Sequence, residues 1–497
     1  MSAGQRTKGV VRHTLIYGLG TLLSRAVSFF MLPVYTRLLT PADYGTLALI
    51  EMTLDVISIG AGAQLAHAIF RFYHKADSEA EKNTVVSTVF FSLMLSYGLI
   101  AAGTAYLAPE LSQLIFKAAD RAPLIRIASG GLASQCLLIV PFALLQVRER
   151  SQTIVVMNLV KLVLQLSLNI LFLVGMGMGV RGILTSTIVA NTVVGVGVSI
   201  WTVRTVGISY SADTLRTLIR YAVPMIGMQF ATFFTTFGDR YFLKAYGDEA
   251  SVGLYNLAYQ FGFLLYALGF GPFMSTWGPR RFAIAKSADL VVRDRDLSAG
   301  FGYANLVLLS AATMVGLVVE DVLRLMTTPA FYAAAAMVPV IVLAYVFQCW
   351  ASILDLGILV RERTEYLALG NWISFAVALL GWVVLIPRFG AMGAACVAAA
   401  SLFTRFATTY YFAQRLWRVE YAWATNLCMA ALGIMLVVVA RLLPALPWVP
   451  SVALHGTMFL AYLAYCWRFG PLTDEEKHTA VEMARARVAG IRAALAR

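Results

Sequence analysis

The sequence predicts an all-α polytopic membrane protein of about fourteen transmembrane helices, arranged as two pseudo-symmetric six-helix lobes plus two C-terminal helices. Three observations lead there: an apolar composition, an unbroken succession of apolar runs, and landmarks that recur about 210 residues apart. Of the 497 residues, 60% are apolar and only 13% are charged, against about 25% charged in soluble domains. A water-soluble globule is excluded. A bilayer-spanning helix needs about 20 mostly apolar residues, so the chain has room for about fourteen spans with short connections.

The runs cover 14–32, 44–70, 84–108, 124–147, 153–174, 180–203 and 218–237, then 252–277, 301–319, 333–360, 366–386, 391–413, 422–442 and 449–467. The basic start before the first run lacks a small-residue cleavage site and reads as leading into a retained span. With both termini cytoplasmic, 26 of the 39 Lys and Arg residues fall on the cytoplasmic side and 10 on the other, the bias expected of positive-inside topology. The net charge of +13 is therefore a topology signal, and nucleic acid is not an expected partner.

After Pro471, Thr473 and Glu476 form a capping-box pattern. Val481, Ala484, Val488, Ile491 and Leu495 then recur at helical spacing between arginines. The pattern predicts an amphipathic tail helix on anionic membrane lipids.

Internal repetition sets the architecture. Gly45 after Asp43 and Tyr44 corresponds to Gly253 before Leu254 and Tyr255, and Arg71 with Phe72 corresponds to Arg280, Arg281 and Phe282. Asn158 with Gly179 to Gly182 corresponds to Asn371 with Gly390 to Gly393. A constant shift across distant landmarks implies two six-span halves in one orientation, at 1–209 and 210–418. Two additional spans at 419–470 and the tail at 471–497 complete the chain. Parallel repeats of this kind place a substrate path at the interface between halves.

The segment LPVYTRLLTPADYG from Leu32 to Gly45, preceded by Tyr17, Gly18, Ser24 and Arg25, resembles the start of bacterial polysaccharide-export proteins. These are the lipid-linked oligosaccharide flippases of the multidrug, oligosaccharidyl-lipid and polysaccharide exporter superfamily. The twelve-plus-two span layout and the Gly-rich turn at Gly390 to Gly393 also resemble that family. The resemblance implies a two-lobed, V-shaped transporter in the bacterial inner membrane. It further implies that an undecaprenyl-diphosphate-linked glycan moves from the cytoplasmic to the periplasmic leaflet by alternating access. Coupling to Na+ or H+, and association with a polysaccharide polymerase or export machinery, follow from the same resemblance; no cofactor is expected.

Ionisable residues deep in spans are expensive, about 2.5 to 3.5 kcal/mol even on insertion scales, and need a partner or a wet cavity. Arg25, Glu51, Asp55, Lys161, Asp239, Arg240, Asp355 and Arg405 occupy such positions. If the first two spans turn near Thr40, Arg25 and Asp55 lie at equal depth, and Glu51 sits one helical turn from Asp55. Arg25 then either binds a substrate diphosphate, which a guanidinium matches bidentately, or staples the hairpin in a static ion pair. Glu51 and Asp55 hold Arg25 or take part in cation coupling. Lys161 is an anion contact or a snorkelling lysine, and Arg405 is expected to pair with Asp355. Asp239 and Arg240 read as a solvated helix end in preference to a gate salt bridge. His67 reads as a satisfied helix-end histidine. The amides of Gln64, Gln135, Gln165, Gln229, Gln260 and Gln348 suit sugar hydroxyls and helix-to-helix bonds equally.

Two further patterns are discounted. The GxGxxG match at Gly177 to Gly182 lies between spans, not in a βαβ unit. Asp294, Arg295 and Asp296 sit in a loop too short for a nucleotide domain. The rival functions are an integral-membrane polysaccharide polymerase or glycosyltransferase, which needs a larger outer loop than 109–123, and a multidrug exporter, for which cationic drugs favour a more acidic cavity.

Overall fold

A computed structural model describes residues 31–444, 446–479 and 482, and it is helical throughout its regular structure. The first predicted run and most of the amphipathic tail lie outside the described residues, as does Arg25. Every other predicted run coincides with helix. In chain order these are α1 (Leu32–Leu38), α2 (Pro41–Gly60), α3 (Leu65–Lys75), α4 (Glu79–Tyr106), α5 (Ala108–Phe116) and α6 (Ala122–Val147). They continue with α7 (Ser151–Asn169), α8 (Val180–Val206), α9 (Ala212–Tyr246), α10 (Glu249–Leu265), α11 (Gly271–Ala285) and α12 (Leu290–Met326). The last are α13 (Ala334–Leu354), α14 (Leu356–Val360), α15 (Glu365–Leu416), α16 (Trp423–Leu442) and α17 (Trp448–Phe469).

Among the described residues, nine helices are long and apolar enough to cross a bilayer, or ten if the bent pair α2 and α3 is one span. Polar residues such as Arg220, Gln229 and Thr232 dilute α9, and a π-helical turn at Tyr266–Phe270 divides α10 from α11. α15 contains two of the predicted spans in one continuous element, broken at Gly390. The protein is a multi-pass membrane protein.

Local chemistry explains where the helices start and stop. Thr40 caps α2: its hydroxyl accepts from the Asp43 N–H at 3.1 Å while the Asp43 carboxylate accepts from the Thr40 N–H at 3.1 Å, a reciprocal box with Pro41 at the first helical position. The conspicuous TPAD sequence is therefore a helix start. Ser78 and Ser211 cap α4 and α9 through one bond each, their hydroxyls accepting from the Glu81 and Thr214 N–H groups. The predicted run 44–70 bends by 41° between α2 and α3, where Gly62 takes φ 92°. The run 333–360 breaks at Asp355 between α13 and α14.

Gly179 (φ 57°, ψ −138°) and Gly390 (φ 54°, ψ −133°) adopt the same backbone conformation, one essentially closed to residues with a Cβ. Both sit at tight reversals. Across the first, Gln165 donates to Thr187 at 2.9 Å; across the second, Ser374 donates to the Ser401 carbonyl at 2.6 Å. α15 is thus a helical hairpin, with Gly370 against Thr408 and Gly381 against Val397.

The chain divides into two compact units. The first holds the described residues up to Asn256 with Met326–Phe331 and Trp382–Ala394. Its core joins α3, α4 and α6 through Ile69, Val86, Leu93, Tyr97, Leu132 and Leu144. Within it α2 and α10 cross at a very short separation. A Cβ at Gly45 would lie 1.8 Å from the Glu249 carbonyl oxygen, and one at Gly253 would lie 2.0 Å from that of Pro41. The contact is reciprocal between residues that correspond in the sequence repeat.

The second unit holds Leu257–Leu325, Tyr332–Gly381 and the described residues from Ala395 onward. Phe301, Trp350, Phe406 and Trp423 form an aromatic cluster there, with centroid separations of 5.1 to 6.4 Å. The capping box after Pro471 is present: Glu476 accepts from the Thr473 N–H at 2.9 Å. The Tyr303 hydroxyl on α12 donates to Glu476 and, with the Thr473 N–H, holds that carboxyl below its usual range.

Candidate functional site

In the first unit, α1 and α2 carry several bonded polar groups. Tyr35 accepts a hydrogen bond from the Asn169 amide at 2.7 Å, and Thr36 donates to Leu32 and Met326 carbonyls at 2.9 and 3.1 Å. One face of α2 presents Glu51 and Asp55, one turn apart and exposed. Beside them the Thr53 and Tyr241 hydroxyls are 3.1 Å apart, and Ser58 and Tyr97 2.6 Å. No Lys, Arg or His among the described residues lies within ion-pair distance of either carboxylate. Lys161 on α7 is half-buried and likewise has no carboxylate within that distance among the described residues.

Asp239 and Arg240 overturn the expectation of a solvated helix end. They are 3% and 1% exposed and form an ion pair at 2.7 Å. The Tyr255 hydroxyl donates to Asp239 at 2.6 Å, and the guanidinium carbon lies 5.1 Å from the Tyr255 ring centroid, within cation–π range. Burial requires such compensation. The sequence hid it because Tyr255 reaches the pair from the next helix.

The second unit corrects another expectation. Asp355 does not bond to Arg405; its partner is Arg281, which donates at 2.7 Å and also bonds the Ser352 and Ile353 carbonyls at 3.0 and 3.1 Å. Arg281 is 6% exposed, although it reads in sequence as one of a basic loop pair with Arg280. The break between α13 and α14 explains the difference: it frees carbonyls that a continuous helix would use, and a guanidinium supplies donors for both carbonyls and the carboxylate. Arg405 donates to the Gln348 amide oxygen at 2.9 Å instead and remains within electrostatic range of Asp355. Two guanidinium groups thus share one carboxylate.

The second unit also holds an apolar cavity of about 890 Å³, lined by Phe347, Trp350, Phe403, Phe406, Tyr410 and Trp423 among others. Phe347 adjoins Gln348 in sequence, and Phe406 adjoins Arg405. The same two helices, α13 and α15, therefore present a hydrogen-bonded cation on one side and aromatic walls on the other. His67 is exposed on α3, its ring 6.1 Å from that of Phe70.

Residues 10–284, more than half of the chain, match the family described as polysaccharide biosynthesis protein. The chain belongs to that family. No curated protein matches the sequence. Among solved structures, this polysaccharide biosynthesis protein is similar to the lipid II flippase MurJ in an inward closed conformation. The TM-score is 0.71 at 13% identity, covering 91% of this chain and 99% of that one. It is also similar to an inward-facing multidrug resistance MATE family transporter of the MOP superfamily, with TM-score 0.58, 14% identity and coverage of 79% and 94%. A MOP superfamily transporter from Pyrococcus furiosus gives TM-score 0.55, 14% identity and coverage of 82% and 95%. At these identities the likeness is one of fold.

Proposed function

We propose that this polysaccharide biosynthesis protein is a flippase that carries a polyprenyl-diphosphate-linked oligosaccharide from the cytoplasmic to the periplasmic leaflet of the bacterial inner membrane by alternating access. The observation that carries the reading is the surplus of cation in the second unit, on helices that also wall apolar space. Arg281 and Arg405 face one carboxylate, Asp355, and α13 and α15, which carry Gln348 and Arg405, also wall an aromatic-lined cavity. A diphosphate headgroup completes the charge balance, because guanidinium matches phosphate oxygens bidentately, and isoprenoid carbon suits the cavity walls. Arg405 is the cation of the second unit assigned to the headgroup; in the first, Lys161 and Arg25 are separate candidates for it. Arg240 is assigned to it only in a state that opens its pair with Asp239.

Glu51 and Asp55, exposed one turn apart on α2, are the groups assigned to cation coupling, by H+ or Na+. The same two carboxylates support the second reading, export of a cationic compound. Arg405→Ala and Arg25→Ala, each assayed in cells that depend on this chain for surface glycan, are expected to abolish the glycan at near-normal protein abundance. Full surface glycan in both variants rejects the headgroup assignment. Loss of drug resistance with glycan intact identifies the second reading.

Orientation has its own test. Lys117 and Lys286 are both exposed. Lys117→Cys is expected to react with an impermeant thiol reagent from the periplasm, and Lys286→Cys only after permeabilisation. The reverse pattern inverts the topology.

A further inference from the structure

Where α3, α6 and α8 end and α4, α7 and α9 begin, the first unit gathers aromatic rings and guanidinium groups. The Arg71 guanidinium carbon lies 5.0 Å from the Tyr221 ring centroid, and that of Arg150 lies 5.9 Å from Trp201. Arg204 follows Trp201 by three residues on α8, so the two share a face. Arg71, Arg150, Arg204, Arg216 and Arg220 are all exposed, and among the described residues no carboxylate lies within ion-pair distance of any of them. The ion pair at this end joins Lys82 to Glu79 at 2.8 Å. Glu81 is taken by the Asp77 N–H at 3.0 Å, while Glu149 and Asp213 are exposed and meet no guanidinium among the described residues.

The second unit treats comparable residues differently. Arg281, Arg293, Arg295, Arg363 and Arg418 are paired with Asp355, Asp294, Asp296, Glu365 and Glu420. Water alone would satisfy the exposed guanidinium groups of the first unit, but the segment between α8 and α9 argues for a further partner. The Ser209 N–H donates to the Ser87 hydroxyl at 3.0 Å, the Ser209 hydroxyl to that of Thr84 at 3.1 Å, and the Ser211 N–H to the Thr88 hydroxyl at 3.2 Å. The two serines are thus fastened to α4. The alternate residues, Ile208 and Tyr210, are held outward, 79% and 58% exposed. Isoleucine and tyrosine kept out of the fold at the ends of spanning helices suit the layer where headgroups meet hydrocarbon. Arg204 stands in the last turn before this segment and Arg216 in the second turn after it.

We propose that this end of the first unit binds anionic phospholipid: Arg150, Arg204 and Arg216 engage headgroup phosphates, and Ile208 and Tyr210 enter the lipid surface beside them. Guanidinium matches phosphate oxygens bidentately, and clustered arginines next to a spanning helix favour anionic lipid. A protein partner fits less well. A stable protein interface takes about 800 Å² on each side, whereas the connection that holds out Ile208 and Tyr210 is only the five residues from Gly207 to Ser211. The site lies on the side expected to be cytoplasmic and does not depend on which substrate crosses.

The test uses the purified full-length chain in detergent and reads Tm with added phosphatidylglycerol, phosphatidylcholine or inorganic phosphate, since a ligand that binds the folded state raises Tm. Phosphatidylglycerol is expected to raise the wild-type Tm by a few degrees more than phosphatidylcholine does. Arg150→Gln, Arg204→Gln and Arg216→Gln together should remove most of that difference. The same loss of charge in the second unit, by Arg295→Gln, Arg363→Gln and Arg418→Gln, should leave it in place. Ile208→Ser with Tyr210→Ser keeps every charge and should also diminish it. An equal response of the wild type to the two lipids overturns the proposal. So does an equal loss in the two triple variants, which marks a general effect of net charge. An equal rise with inorganic phosphate assigns the cations to a free anion and overturns the lipid assignment. Should the first triple variant not fold, the serine variant decides alone, and an undiminished difference there overturns the proposal.

Discussion

Asp355→Ala is expected to be the most damaging single charge change in the second unit. It leaves Arg281, 6% exposed, with carbonyl partners only, and strips Arg405 of the carboxylate within its range. Removing one member of a buried pair typically costs about 3 to 5 kcal/mol, because the remaining charge is stranded. Replacing both members by apolar groups is often close to neutral. The expected result is a large fall in folded protein, read as Tm and as monodisperse yield in detergent, for Asp355→Ala alone. The double variant Asp355→Leu with Arg281→Met should recover much of the Tm without recovering surface glycan. If it recovers both, the cluster is structural only, and the headgroup assignment rests on Arg25 and Lys161.

Gly45→Ala should be nearly as disruptive, for a steric reason. Its added methyl carbon would sit 1.8 Å from the Glu249 carbonyl oxygen and 2.9 Å from the Gly253 nitrogen, both backbone atoms that cannot rotate away. α2 and α10 must therefore separate by more than an ångström, and the packing along the crossing is lost with them. Gly253→Ala meets Pro41 in the same way, at 2.0 Å. Because either methyl alone forces the helices apart, the second finds room already made, and the double variant is expected to cost less than the two single effects combined. Gly98→Ala on α4 has nothing within 4 Å and is expected to be neutral or slightly stabilising. Strict additivity at Gly45 and Gly253 would show that the crossing does not act as one contact.

The fold was legible because its signals are local. Each apolar run from 44–70 onward is helix in the structure, and the turn expected near Thr40 lies between α1 and α2, fixed by the Thr40 and Asp43 box. The Gly390 reversal was legible as well, since a cluster of glycines between two apolar runs leaves few other readings.

The partners of the deep charges were not legible. In the sequence Asp355 pairs most naturally with Arg405 because both lie inside apolar runs, whereas its bonded partner, Arg281, sits next to Arg280 in a stretch that reads as a basic loop. Asp239 and Arg240 read as solvated because two opposite charges at a run's end usually are; Tyr255 and the ring of Phe237 reverse that. The contact between Asp321 and His455, at 2.6 Å, has no signal in the sequence. The two are 134 residues apart, and each looks unremarkable beside its own neighbours. Hydropathy records the medium around a segment, whereas ion pairing depends on how separate segments are brought together.

The hairpin form of α15 has a consequence for how the chain enters the bilayer. Its two arms are joined by a single non-helical residue, Gly390, and each arm is long enough to cross a hydrocarbon core of about 30 Å. With a connection this short, whose only charge is Arg388, neither arm can be threaded far ahead of the other. Release of the two arms into lipid as one folded unit is the expected consequence, and lengthening the joint with a polar insert should allow them to arrive separately.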